Sequence, residues 1–133
     1  MNRYMIATIL LSTSALAGPY DQAYSIITTD RAASADPNLR PVIVNRVDGE
    51  TVMIARNEAV VAPGARKVTL DLPPRRGFTQ ATQHDFDLDA KPCTRYYLAA
   101  KLDSPTTQAW TPVVRHSEPI GECRAKFKVA EAK

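Results

Sequence analysis

The stretch "HDFDLDAKPCTRYYLAAKL", residues 84–102, decides the fold class. Phe86, Leu88 and Ala90 alternate with Asp85, Asp87 and Asp89. After Lys91-Pro92 the alternation resumes. Thr94, Tyr96, Leu98, Ala100 and Leu102 share one face, and Cys93, Arg95, Tyr97, Ala99 and Lys101 share the other. A period of two places successive side chains on opposite faces of a strand, one buried and one wet. The simplest pairing predicts an antiparallel hairpin of these two strands, with the aspartates facing Arg95 and Lys101. Opposite charges across such a pair contribute about 0.2–1 kcal/mol each and help set register.

The same grammar runs through the chain. "PVIVNRV" and "ETVMI" flank Asp48-Gly49, the dipeptide that a two-residue hairpin turn favours because both central residues need positive φ. Val60 and Val61 lead into Pro63-Gly64, read as a second turn of this kind, and Val68, Leu70 and Leu72 then alternate with polar residues. Ile26-Ile27 marks a short first strand. "AWTPVVRH" predicts a further strand, with Pro112 placing it at an edge or a bulge because proline donates nothing to a ladder. Trp110 and Tyr96 are expected in the core. No apolar 3.6-residue period lasts three turns beyond the first residues. These signals predict an all-β fold, a small antiparallel β-sandwich of immunoglobulin-like or transthyretin-like kind with one disulfide. Residues 18–38 read as an N-terminal segment that is partly loop and 39–123 as the sandwich. Residues 124–133 read as a charged tail, either a last strand or disordered.

The first 17 residues read differently. Arg3 precedes an apolar run from Met5 to Leu11, and a small-residue stretch ends in Ala15-Leu16-Ala17. That is the pattern of a cleaved signal peptide, and the run is far short of the ~20 residues of a membrane-spanning helix. The protein is therefore expected to be periplasmic or secreted, with no transmembrane segment. In an oxidising compartment two cysteines are read first as a disulfide, so Cys93 and Cys123 are expected to pair. A Cys₂His₂ zinc site with His84 and His116 does not fit the spacing of structural zinc motifs. The alternating aspartates lack the glycine and distal glutamate of a calcium loop. The reading therefore assigns no metal and no cofactor.

The net charge of +3 and pI of about 9.0 are mildly basic, without the clustered stripe of a nucleic-acid binder. No nucleophile motif such as G-x-S-x-G occurs, so a non-enzymatic protein is expected. The candidate binding face comprises Arg95, Tyr97 and Lys101, with Arg75 and Arg76 of the neighbouring loop. Its expected partner is another envelope protein or an anionic envelope polymer. Two alternatives stand beside it: a small hydrolase or metal-dependent enzyme near His84 and His116, and an inhibitor-like protein presenting "PPRRGF" (73–78) to a protease.

"VDGETV", "VVAPGARKVTLDL" and "RYYLAA" together resemble small β-sandwich domains of exported bacterial proteins, PEGA-type surface domains among them. The resemblance covers Val42 to Ala100 and rests on turn chemistry. It implies the fold of an exported β-sandwich domain and carries no chemistry of a site. The lipid-accepting cysteine of many such proteins is absent here.

Overall fold

A computed structural model describes residues 18, 20–29, 35–53, 57–74, 82–104, 106 and 109–129. The expected signal peptide, the pair Arg75-Arg76 and most of the 73–78 loop lie outside them. The described chain is a small all-β sandwich with one short helix.

The first sheet contains β1 (Ser25–Thr29), β2 (Leu39–Arg40), β5 (Glu58–Val61), β8 (Thr94–Leu102) and β9 (Trp110–Pro119). The second contains β3 (Ile43–Val47), β4 (Glu50–Thr51), β6 (Gly64–Leu72) and β7 (Thr82–Ala90), in the order β4-β3-β6-β7. All pairings are antiparallel except β1 with β8, which run parallel from Ile26 opposite Arg95 to Thr29 opposite Leu98. The alternating faces meet across the core: Ile27, Leu98 and Leu102 from the first sheet, Val44, Val68 and Leu70 from the second, all almost wholly buried. Tyr96 and Trp110 are buried as expected.

The Asp-Gly hairpin forms as the sequence indicates. Asp48 and Gly49 have φ of 50° and 84°, and Val47 pairs with Glu50. Asp48 also accepts hydrogen bonds from the Lys67 N–H and the Arg66 guanidinium, each at 2.9 Å, which hold its carboxyl below the usual aspartate range.

The hairpin expected from residues 84–102 does not form. β7 and β8 belong to different sheets and face one another across the core instead of pairing edge to edge. The reason is the corner between them. The Cys93 N–H donates to the Tyr24 carbonyl at 2.7 Å, the Lys91 N–H donates to the Tyr96 hydroxyl at 2.8 Å, and Cys93 has φ of 55°. These contacts carry the chain from one sheet to the other. The aspartates of β7 lie opposite β6: Asp85 opposite Thr69 and Asp87 opposite Lys67. The Thr69 hydroxyl donates to Asp85 at 2.8 Å and, with Lys67, lowers its pKa.

The Pro63-Gly64 turn is likewise a crossing. β5 and β6 lie in different sheets, Gly64 has φ of 118°, and Arg66 donates to the carbonyls of Ala62 and Pro63. Pro41 stands at a third crossing, between β2 and β3. A proline has no N–H to extend a ladder, and its fixed φ favours a change of direction. β9 is an edge strand as Pro112 suggests. Its bulge falls farther on, at Arg115, between the pairs Tyr97–His116 and Leu98–Val114.

The segment after Cys123, expected as strand or disorder, begins inside a helix. α1 (Gly121–Phe127) ends at Lys128, which has φ of 52°. Seven residues are too few for a helix to stand alone. α1 exists because Cys123 is bonded to Cys93, with Cα atoms 5.3 Å apart, and because the helix packs over Tyr24, Ile26 and Val60 on the outer face of the first sheet.

Candidate functional site

Strand β8 sets the outer face predicted as a binding surface. Arg95 and Tyr97 project there, next to Glu118 and His116 of β9. The Tyr97 hydroxyl donates to Glu118 Oε1 at 2.7 Å, and its ring stacks on His116 with centroids 4.1 Å apart. The bond to an acceptor carboxylate, followed by desolvation, raises the Tyr97 pKa above its ordinary value. Arg95 is held more firmly protonated by its hydrogen bond to Tyr97 and by the charges of Glu58 and Glu118. Among the described residues, Arg95 thus lies beside compensating carboxylates. Lys101 does not join this cluster: four positions beyond Tyr97 along β8 is about 13 Å at strand rise.

Because the folded pKa of Tyr97 is raised, the Tyr97–Glu118 contact stabilises the fold below the ordinary tyrosine range near pH ~10. Its contribution is lost as pH rises through the folded value. In an NMR titration of Cζ-labelled tyrosine, Tyr97 is expected to ionise late, and earlier in Glu118→Gln. Identical midpoints in both proteins would refute the role given to Glu118.

His84 and His116 do not converge. The His84 ring sits edge-on to Trp110, 4.5 Å between centroids, whereas His116 lies six positions along β9, about 20 Å away. Trp110 Nε1–H donates to Thr82 Oγ1 at 2.7 Å, so this corner serves the core. The disulfide occupies both cysteines.

Among the described residues, two concavities open to solvent bear on these faces. One, of about 420 Å³, lies under the start of α1 between Tyr20, Arg95 and Glu122. The larger, of about 540 Å³, runs along the side of the sandwich. It is lined by both residues of β4, by Val52 and Met53, and by all of β5. β4 and β5 are edge strands of their respective sheets, so among the described residues this side of the sandwich is open. Met53 is 68% exposed there, the most exposed large apolar residue among those described.

Asn57 organises this side. It is buried with φ of 47°; its carboxamide oxygen accepts from the Val44 N–H at 3.1 Å, and its Nδ2 donates to Thr29 Oγ1. One side chain thereby ties the second sheet to the first just where the chain enters β5.

No family model matches the chain. No curated protein and no solved structure matches it either. The function is therefore argued from geometry. Sequence reasoning identified Arg95 and Tyr97 but missed the groove and Asn57. The available signal for the groove was "EAVVA", residues 58–62, a short run with one charge at its start. Edge strands are commonly protected by charge, proline or a bulge. β9 carries proline and a bulge; β5 carries neither within its length.

Proposed function

We propose that this chain is an exported, non-enzymatic binding module of the bacterial periplasm or cell envelope, and that it recognises another polypeptide. The observation that carries the reading is the groove between β4 and β5, sheet edges left open among the described residues, with the exposed Met53 side chain in it. Unpaired edge backbone recruits an extended segment by strand addition, with backbone hydrogen bonds supplying affinity and alternate side chains supplying specificity. Export is supported by the signal-peptide pattern before Gly18 and by the disulfide. The turn chemistry shared with small exported β-domains agrees with it.

The test is made in the producing cell. Fractionation followed by N-terminal sequencing is expected to find a mature chain beginning at Gly18 outside the cytoplasm. A photo-crosslinking residue at Met53 is expected to capture a polypeptide partner, and the same residue at Lys101 is not. A cytoplasmic, uncleaved chain would overturn the export reading. Absence of any adduct from Met53, Glu58, Tyr97 and Lys101 alike would overturn the binding reading.

A further inference from the structure

We infer that the β4–β5 groove takes an extended strand in which apolar residues alternate with lysine or arginine. The inference rests on the binding reading above and names the occupant. The first argument is the facing of β5. Ala59 and Val61 pack against the main core, while Glu58 is exposed and Val60 packs on the outer face beside Ile26. A strand added beside β5 continues that alternation. Its inward side chains would extend the core and meet Val52 and the exposed Met53, which requires apolar residues. Its outward side chains would stand beside Glu58, which requires polar ones.

The second argument is charge. Among the described residues, the groove is lined by three carboxylates, Asp48, Glu50 and Glu58, and one guanidinium, Arg66. Arg66 is paired with Asp48 at 2.9 Å and also bonded to Ala62 and Pro63 carbonyls. Glu50 and Glu58 are exposed and, among the described residues, neither forms a salt bridge; Glu58 also interacts electrostatically with Arg95 on the outer face, so Glu50 is the less compensated of the two. An acidic groove selects a basic strand over an acidic one. Opposite charges placed across neighbouring strands also fix register.

The experiment uses the purified, disulfide-bonded mature chain and fluorescein-labelled nine-residue peptides. One peptide alternates Lys with Val, a second alternates Glu with Val. Two further Lys/Val peptides are N-methylated on every second residue, one along each hydrogen-bonding edge. Fluorescence anisotropy is expected to show saturable binding of the Lys/Val peptide and at least tenfold weaker binding of the Glu/Val peptide. Glu50→Lys with Glu58→Lys, both at exposed positions, is expected to reverse that preference. Methylation along one edge is expected to abolish binding and along the other to spare it, since only one edge can bond to β5. Absence of Lys/Val binding would overturn the inference, as would equal binding of both charge types or indifference to both methylations. Indifference to methylation with charge selectivity retained would mean surface electrostatics without strand addition. The crosslinking at Met53 is read separately: a captured partner alongside a negative peptide result overturns the basic strand and leaves the binding module standing.

Discussion

Replacing both cysteines, as Cys93→Ala with Cys123→Ala, is expected to cost about 3–4 kcal/mol of stability, read as the shift in a urea unfolding curve. The chain-entropy account of a cross-link depends on the loop it closes, and a separation of 30 residues gives that magnitude. Small domains have only about 5–15 kcal/mol in total, so the loss is a large fraction. The effect is also spatially specific. α1 has seven residues and is held by Cys123 and by contacts to the outer face of the first sheet. Without the bond, amide hydrogen exchange at 121–127 is expected to lose protection well before that of β6 and β8. The Cys93 corner loosens with it, because the Ile120 N–H donates to the Cys93 carbonyl at 2.8 Å. A loss under about 1 kcal/mol, or a helix as protected as before, would contradict this account.

Asn57→Ala is the second large effect, at least about 3 kcal/mol. The substitution leaves the buried Val44 N–H and the buried Thr29 hydroxyl without the partner each has now. A buried group left unsatisfied costs about 1–3 kcal/mol. Alanine at φ of 47° adds about 1 kcal/mol of left-handed strain that asparagine tolerates better. Asn57→Gly separates the two causes: it removes the same hydrogen bonds but adopts that φ freely, so it is expected to be about 1 kcal/mol less damaging than alanine. Both are measured by urea unfolding. Two variants as stable as the parent would show that Asn57 does not join the sheets energetically. Loss of this tie is also expected to spread β5 from β3 and so to weaken peptide binding in the groove, because the Asn57 side chain, just before β5, bonds to both Val44 of β3 and Thr29 of β1.

The candidate site divides along a physical line. Arg95 and Tyr97 were legible because alternation along one strand assigns faces without knowledge of its neighbours. Glu118 and His116 complete their cluster through the β8–β9 register, which brings together residues 19–23 positions apart in the chain. The groove has no such one-strand signature. It exists because β4 and β5 end up as edges, and an edge is a property of the whole sheet order.

Residue period, turn dipeptides and cysteine number determined much of this protein by themselves. They set the strands, their buried faces, the Asp48-Gly49 hairpin, the edge position of β9 and the disulfide. Local φ preferences and side-chain alternation act over a few residues and need no partner. Tertiary structure alone decided which strands pair. The aspartate strand and the Tyr-Tyr strand could have been hydrogen-bonded neighbours or facing layers, since both arrangements bury Leu88 and Leu98 equally well. The choice fell to long-range bonds, Cys93 to Tyr24 and Lys91 to Tyr96 among them, which turn the chain across the core at Pro92. The same holds for α1, a helix too short to be favoured by its own sequence and formed where a disulfide and an apolar sheet face hold it.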